Sequence, residues 1–265
     1  MKYSICIENF YKDLPFEDKF AAAKRDGFEY CEFWTWKGRD WGGVKKAIDD
    51  SGMKIAAFSG DDEYSLINPD ENSRYVEFLR ESIKRAKEIH CRYLVIHSDA
   101  LNRDGSAKEM VTPLSDEVKL LNMYKVLESI APFAEKEDVT LVLEPLNTRL
   151  GQPRAHQNYF LDHPQPAFDL TRQVGSDKVK VLYDIYHMQL MAGNVIRTLE
   201  ENIDQLGYIH LADVPGSHEP GTGELNCNNI LKALDSMGYA GFVGFELLPA
   251  ETDEKASKAI KGIWI

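Results

Sequence analysis

The sequence has little cysteine, no long apolar run and no cluster of positive charge. Its four cysteines are widely scattered without a CxxC pair, which argues against a zinc knuckle and against a disulfide framework. Three of them lie in apolar, strand-like stretches, as buried free thiols do, so we expect a reducing compartment. Because no apolar run approaches transmembrane length and the first residues are already strand-like, we expect a cytoplasmic protein with no membrane contact.

The scarcity of positive charge bears on the partner. The chain has 31 Lys and Arg against 43 Asp and Glu, a formal net charge of −12, and no basic tract. Enzymes that bind nucleic acids usually present a basic face, so we expect no nucleic-acid partner. A small anionic substrate needs only one or two local cations and remains compatible with this charge.

Short apolar, β-branched runs alternate with longer amphipathic segments about eight times along the 265 residues. Runs such as LVIH and LVLE are nearly all apolar, which is typical of parallel strands that are covered on both faces. Eight such units in a chain of this length favour the α/β class and a single (β/α)₈ TIM barrel over residues 1–265. An open doubly wound sheet is the alternative. The predicted strands are 3–7, 30–33, 54–58, 93–97, 140–144, 180–184, 208–211 and 242–246, with helices including 73–89 and 120–135.

Metal-competent side chains end four consecutive predicted strands. They are Glu144, Asp184, His210 and Glu246. In a barrel all βα loops open on one face, and the site forms there. A single carboxylate at such a position is often a helix N-cap or an ion-pair partner, but four in corresponding positions are harder to explain without a ligand. Carboxylate oxygens with one imidazole suit Mn²⁺ or Mg²⁺, with Co²⁺ as a further candidate.

Two sequence motifs carry a family resemblance. The runs DIYHMQ (184–189) and HEPGTGE (218–224), within the stretch 141–249, strongly resemble hydroxypyruvate isomerase and its relatives. These proteins belong to the xylose isomerase-like barrel superfamily, together with the ketose 3-epimerases. The resemblance implies that the four strand-end residues bind the metal and that Glu144 and Glu246 also transfer the proton. It implies a substrate contact for a histidine three residues past the aspartate. The candidate substrate-binding residues are therefore His187 and, at the barrel mouth or in the HEPGTGE loop, His97, His218 and Glu219.

The expected function is a divalent-metal-dependent isomerase of a small hydroxy-ketone or keto-sugar, similar to hydroxypyruvate isomerase. Moving a carbonyl requires removing a proton from the neighbouring carbon and returning it elsewhere, through an enediolate that the metal stabilises. The two glutamates would act as base and acid. A single base that returns the proton to the adjacent carbon gives isomerisation, whereas two bases on opposite faces of one carbon give epimerisation. A ketose 3-epimerase and a C-glycoside-cleaving lyase subunit, which would need a partner chain, therefore stay open.

Two remote alternatives fit less well. An apurinic-site endonuclease of this superfamily needs a three-metal cluster and a basic DNA-binding face, against seven histidines and a net charge of −12. A non-catalytic sugar-binding barrel would leave the four strand-end ligands without a purpose. Homo-oligomerisation is compatible with the sequence, which shows no evident interface.

Departures from the family pattern bear on the substrate. Some hydroxypyruvate isomerases carry glutamine where this chain has His210, and the epimerases carry histidine. Ser217 stands where relatives often place an arginine that holds a substrate carboxylate or a sugar oxygen. Arg149 or Arg154, from the irregular segment 147–165, is a candidate replacement. A loop of that length is typical of a lid or a binding loop, or of a disordered segment.

Several other residues are assigned locally. His156 and His163, in the long loop, are expected to be solvated. The Gly221–Gly223 stretch is neither GxGxxG nor a Walker A sequence and predicts a turn. Aromatic packing is the expected role of Trp34 and Trp36, with sugar stacking as the alternative. For Glu8, a substrate role and a structural role are both open.

Overall fold

The computed structural model describes residues 1–102, 104–109 and 113–265. Eight parallel strands pair in chain order and close into a barrel, with β1 pairing β8 from Lys2 opposite Phe242 to Ile5 opposite Phe245. This confirms the predicted (β/α)₈ barrel and excludes the open sheet. The strands are β1 Lys2–Cys6, β2 Tyr30–Phe33, β3 Lys54–Ser59, β4 Tyr93–Ile96, β5 Thr140–Leu143, β6 Val179–Asp184, β7 Leu206–His210 and β8 Phe242–Phe245.

The strand ends lie within two residues of the predicted ones. Asp184 and His210 are the last residues of β6 and β7, whereas Glu144 and Glu246 follow β5 and β8 directly. All four therefore lie at the carboxyl ends of neighbouring strands, the face on which barrel enzymes build their sites.

Helices cover the outside of the barrel. Helix α3 matches the predicted 73–89 to within one residue, and α4 extends the predicted 120–135 at both ends. In the part of the chain that the structure describes, no helix combines the length and the apolar character needed to cross a membrane. The helices are α1 Phe16–Arg25, α2 Trp41–Ser51, α3 Asn72–Glu88, α4 Asp116–Glu137, α5 Pro164–Val174, α6 Ile185–Met191, α7 Val195–Glu201, α8 Cys227–Ser236 and α9 Asp253–Gly262.

Apolar side chains form two separate clusters. The larger one packs the outer faces of the strands against the helices, because successive side chains of a strand point to opposite faces. The smaller cluster, from six neighbouring strands, fills the barrel interior and includes Val142, Leu182, Tyr208 and Phe242. The rings of Tyr208 and Phe242 are stacked, with centroids 5.7 Å apart. This apolar plug forms the floor beneath the polar residues at the strand ends. All four cysteines are buried and free, as expected for the three in strand-like stretches.

Candidate metal centre and its cavity

Glu144, Asp184, His210 and Glu246 converge at one point of the barrel mouth. One potential ligand atom of each lies within 4.8 Å of the others, and all four residues are buried. His210 Nδ1 lies 3.2 Å from Glu144 Oε1, 3.4 Å from Glu246 Oε2 and 3.9 Å from Asp184 Oδ2. The imidazole therefore presents Nδ1 to the three carboxylates. We call these four residues the tetrad.

Asp184 divides its two carboxylate oxygens between the fold and the tetrad. Oδ1 accepts a hydrogen bond from the backbone N–H of His187 and so caps the N-terminus of α6. Oδ2 is buried and has no hydrogen-bond partner among the described residues. A buried carboxylate oxygen without a partner is costly unless a cation satisfies it. The donor set, three carboxylates and one imidazole, fits a divalent cation with hard ligand preference.

The electrostatics of the tetrad also fit a cation. Burial raises the pKa of Asp184, and the neighbouring Glu144 carboxylate adds to this effect. Burial would raise the pKa of Glu144 as well, but hydrogen bonds from His210 and His97 lower it. Burial would lower the pKa of His210, yet the surrounding carboxylates, Glu32 first, raise it well above its ordinary value. The imidazolium thus balances part of the negative charge, which a divalent ion would balance more fully.

Glu246 is held by two further side chains. Its Oε1 accepts a hydrogen bond of 2.6 Å from Trp34 Nε1, and its Oε2 forms an ion pair with Arg154. Arg154 Nη1 also donates to the backbone carbonyl of Glu246, at 2.8 Å. Burial alone would raise the pKa of Glu246, but the Arg154 guanidinium and His210 hold it well below its usual range. Of the two loop arginines, Arg154 reaches the site, whereas Arg149 is exposed.

The segment that carries Arg154 is pinned to the barrel. Tyr186 Oη donates to the carbonyl of Pro153 at 2.6 Å, and Asn147 Nδ2 donates to the carbonyl of Arg154 at 3.0 Å. The backbone N–H of His156 donates to the carbonyl of Asn147 at 2.7 Å. Arg154 itself adopts the left-handed conformation, with φ of 53°. These bonds offset the cost of about 1 kcal/mol that this conformation carries and aim the side chain at Glu246.

His97 is the candidate substrate-binding residue that the structure places at the tetrad. Its Nε2 lies 3.5 Å from Glu144 Oε2, and its Nδ1 lies 2.8 Å from Asp61 Oδ1. Asp61 also accepts from the backbone N–H of His97, at 2.6 Å, and from Tyr75 Oη, at 3.1 Å. Burial would lower the pKa of His97, but Asp61 and then Glu144 raise it to about 10. His97 is therefore a cation at neutral pH, fixed in orientation by Asp61.

The other three candidates lie outside the described cavity wall. His187 is fully buried behind Asp184, with its Nδ1 2.6 Å from Asn147 Nδ2 and its Nε2 3.6 Å from Asp184 Oδ2. His218 and Glu219 turn back toward the segment after β8. His218 Nδ1 lies 2.6 Å from the carbonyl of Leu248, and Glu219 accepts from the backbone N–H of Ala250 at 2.9 Å. These contacts hold the mouth loops together.

The Gly221–Gly223 stretch forms a turn around one buried aspartate. Asp213 accepts hydrogen bonds from the backbone N–H groups of Gly221, Gly223 and Leu225. A Cβ at Gly223 would lie 1.9 Å from the carbonyl oxygen of Val214, so this position requires glycine. The stretch therefore serves as the predicted turn, and its amides are engaged by Asp213.

A cavity of about 570 Å³ opens above the tetrad. Trp34, which is 46% exposed, forms part of its wall, whereas Trp36 stacks on Phe78 and donates from Nε1 to Ser82 Oγ. Trp36 therefore has the expected packing role. Trp34 lies at the cavity, where sugar stacking stays open as its alternative role. The wall combines apolar and acidic side chains, including Phe33, Phe58, Leu101, Leu146, Asp61, Asp62, Asp99 and Asp104.

Sequence reasoning missed two residues of this site. His156, expected to be solvated, lines the cavity, with its Nδ1 2.8 Å from the carbonyl of Gly105; burial, followed by Arg154, lowers its pKa to about 4. That expectation is wrong because the loop folds inward, while His163 is exposed as expected. Glu32, a buried acid within the apolar strand β2, also lines the cavity. The sequence offered one signal for Glu32, since it is a charged residue in the otherwise apolar run YCEF.

Glu8 has a structural role instead. It forms an ion pair with Arg39 and accepts a hydrogen bond from the backbone N–H of Trp34, at 3.1 Å. Through this contact it holds the segment after β2 that presents Trp34 to Glu246.

A barrel with three carboxylates and one imidazole at the ends of β5 to β8 defines the class of protein. The family model described as xylose isomerase-like TIM barrel matches residues 20–263. The chain belongs to this family. It is 30% identical to the 2-oxo-tetronate isomerase of Cupriavidus necator over 94% of this chain and 93% of that protein. It is 39% identical to the Escherichia coli hydroxypyruvate isomerase over a shorter stretch, 45% of this chain and 44% of that protein.

Solved structures share the fold. A family 2 AP endonuclease from Brucella melitensis superposes with a TM-score of 0.83 at 24% identity, covering 96% of both chains. The D-psicose 3-epimerase of Clostridium cellulolyticum superposes with a TM-score of 0.78 at 17% identity, covering 99% of this chain and 96% of that one. At these identities the structures establish the barrel alone. The family match and the curated relatives confirm the predicted resemblance and the enzyme class, an isomerase.

Proposed function

We propose that the chain is a divalent-metal-dependent isomerase of a small hydroxy-ketone, similar to hydroxypyruvate isomerase, with Mn²⁺ or Mg²⁺ as the metal. The observation that carries the proposal is the convergence of Glu144, Asp184, His210 and Glu246 within 4.8 Å at the floor of a cavity. The relatives named hydroxypyruvate isomerase and 2-oxo-tetronate isomerase support the reaction type.

The tetrad residues have different tasks in this proposal. Asp184 and His210 would hold the metal, and Glu144 and Glu246 would hold it and also carry protons. A bound metal would withdraw electron density from the substrate's carbonyl and hydroxyl oxygens and so acidify the C–H bond of the hydroxyl-bearing carbon next to the carbonyl. Because the pKa of both glutamates is lowered, both are ionised at neutral pH, the form that accepts a proton from carbon.

The neighbours of each glutamate fit this division of labour. Trp34 and Arg154 fix Glu246 from two sides, so its carboxylate approaches the substrate in one orientation. His97 stands beside Glu144 and, being cationic, can donate a hydrogen bond to a substrate oxygen on which negative charge develops. The same carboxylate returns the proton to the adjacent carbon, and the hydroxyl proton passes to the former carbonyl oxygen, which together complete an isomerisation.

The position of Arg154 favours a substrate that carries a carboxylate. It supplies the cation that Ser217 lacks, and its guanidinium belongs to the cavity wall beside the tetrad. Guanidinium groups bind carboxylates through paired hydrogen bonds. A hydroxy-keto acid would therefore place its carbonyl near the tetrad and its carboxylate near Arg154.

A ketose 3-epimerase is the second candidate. The cavity of about 570 Å³ is far larger than a three-carbon acid requires, and Trp34 offers a half-exposed ring of the kind that packs on sugars. Acidic wall residues such as Asp62 and Asp99 can accept hydrogen bonds from sugar hydroxyls. In this reading Glu144 and Glu246 act on one carbon from opposite faces. The same acidic wall disfavours a polyanionic substrate such as DNA.

The test is deuterium exchange from D₂O into a panel of three- to six-carbon hydroxy-ketones, with and without a carboxylate. The protein is stripped with a chelator and reloaded with Mn²⁺ or Mg²⁺, and the products are read by mass spectrometry and NMR. We expect metal-dependent exchange at the carbon next to the carbonyl, and the labelled carbon separates isomerisation from epimerisation. No metal binding, or no exchange in any substrate of the panel, refutes the proposal.

Two matched variants test the proton carriers. Glu246→Gln is expected to abolish exchange while sparing part of the metal affinity, because the amide oxygen remains a ligand but accepts no proton. Glu219→Gln is the control, since Glu219 is an equally buried acid whose carboxylate binds the backbone N–H of Ala250. Unchanged turnover in Glu246→Gln contradicts the assigned role.

A further inference from the structure

Glu32 is a buried acid at the base of the cavity, 4% exposed, that the proposed reaction does not use. Its Oε2 accepts a hydrogen bond of 2.6 Å from Tyr208 Oη and one of 3.2 Å from Ser4 Oγ. The two hydroxyls also lie 2.7 Å from each other. Two neutral hydroxyls, from β1 and β7, therefore fix one oxygen of this carboxylate in place.

The other oxygen of Glu32 faces the tetrad histidine. Oε1 lies 3.3 Å from His210 Nε2, within ion-pair distance, and neither of these buried atoms has a hydrogen-bond partner among the described residues. His210 Nδ1 points the opposite way, toward Glu144, Asp184 and Glu246. The imidazole thus lies between Glu32 and three other carboxylates, with Nε2 directed at Glu32 and Nδ1 at the three.

The barrel makes room for this carboxylate at the facing strand. Gly244 of β8 pairs in register with Ser4 and with His210. A Cβ at Gly244 would lie 2.6 to 2.9 Å from the Glu32 carboxylate atoms, so no larger residue fits there while Glu32 keeps its position. Glycine inside a strand weakens the strand, and it often marks a place where another group approaches closely. Here that group is the carboxylate.

We propose that Glu32 is a positioning residue that accepts a hydrogen bond from His210 Nε2–H and thereby keeps the Nδ1 lone pair directed at the metal. A neutral imidazole carries its proton on only one nitrogen, and the partner of that nitrogen selects the tautomer. Carboxylates that bind the second nitrogen of a ligand histidine orient the ring and increase its basicity. This inference rests on the metal site of the proposed function.

The experiment compares metal affinity in Glu32→Gln and the wild type. Protein stripped with a chelator is titrated with Mn²⁺ by calorimetry, after circular dichroism has shown that the variant is folded. We expect a 10- to 100-fold weaker affinity, the usual effect of removing such a partner. Tyr208→Phe, which keeps Glu32 but removes one hydroxyl from Oε2, is expected to weaken the affinity less than tenfold, because the carboxylate that contacts His210 remains. Equal affinity in the wild type and Glu32→Gln overturns the inference.

A second readout needs no metal. In metal-free protein labelled with ¹⁵N-histidine, a hydrogen-bonded Nε2–H of His210 gives an exchange-protected low-field proton signal, assigned by its loss in His210→Gln. We expect the signal to move upfield or to disappear in Glu32→Gln and to shift slightly in Tyr208→Phe. An unchanged signal in Glu32→Gln refutes the contact. A wild type that shows the signal but binds no metal refutes the proposed function and leaves the contact standing.

Discussion

Arg154→Met should change the stability of the metal-free protein and its metal affinity in opposite directions. The substitution removes the cation that pairs with Glu246 and keeps a side chain of similar reach in the cavity wall. The metal-free protein then holds Glu246 with Trp34 and His210 only. The metal-loaded protein no longer places a positive charge beside the divalent ion.

The size of both effects follows from the ion pair. Two unit charges about 4 Å apart attract by about 4 kcal/mol at an effective dielectric constant of about 20. Part of this attraction offsets the desolvation of the two groups, and Trp34 and His210 remain as partners, so we expect a loss of about 2 kcal/mol in the free energy of unfolding. This corresponds to a fall of roughly 4 to 8 °C in Tm. Removing the neighbouring positive charge should raise the metal affinity about tenfold, a gain of about 1.4 kcal/mol.

The assay is thermal unfolding with and without Mn²⁺, together with calorimetric titration of the metal. Arg149→Met is the matched control, because it removes the same charge from the same loop at an exposed position. We expect the control to resemble the wild type in both measurements. If Arg154→Met has wild-type Tm without metal and binds Mn²⁺ no more tightly, Arg154 does not compete with the metal for Glu246.

Three further predictions follow from the site. Metal binding should release at least one proton at pH 7, because the pKa values of His210 and Asp184 are both raised and the ion requires a neutral imidazole and an ionised carboxylate. Metal affinity therefore falls with decreasing pH, and calorimetry in two buffers of different ionisation enthalpy measures the number of protons released. For His156, whose pKa is lowered to about 4, the unfolded chain takes up its proton first as pH falls below about 6.5. Stability should therefore decline by up to about 3 kcal/mol between pH 6.5 and 4. His156→Gln should flatten that part of the urea-unfolding profile, and an unchanged slope contradicts the assignment. Gly244→Ala should cost about 1 to 3 kcal/mol in unfolding free energy, because its Cβ meets Glu32, whereas Gly262→Ala, with open space around it, should be neutral or slightly stabilising.

The tetrad was predictable because barrel geometry alone determines where strand ends lie. A residue that follows an apolar run in each βα unit must reach the same face, so Glu144 and Glu246 could be assigned from local pattern. The choice between Arg149 and Arg154 could not be predicted in this way. It depends on hydrogen bonds from Tyr186 and Asn147 that fix one loop conformation, and the bond from Tyr186 to Pro153 joins residues 33 positions apart in the chain.

The position of Glu32 was hidden for a related reason. The acidic residue is visible in the sequence, but its role depends on the register of β2 relative to β7 and β8. A shift of one residue in strand pairing moves a side chain to the opposite face of the sheet. The register that places Ser4, His210 and Gly244 on one level of the barrel is a property of the closed structure.

The pairing of β1 with β8 joins the two ends of the chain and stops at Phe245, one residue before Glu246. The four ligands lie at the ends of β5, β6, β7 and β8, whereas Trp34, which holds Glu246, follows β2 on the other side of that seam. The hydrogen bond between Trp34 and Glu246 therefore connects the first and last parts of the chain at the level of the site. A bound ion would join the ends of four consecutive strands and would stabilise the folded chain by the free energy of its own binding.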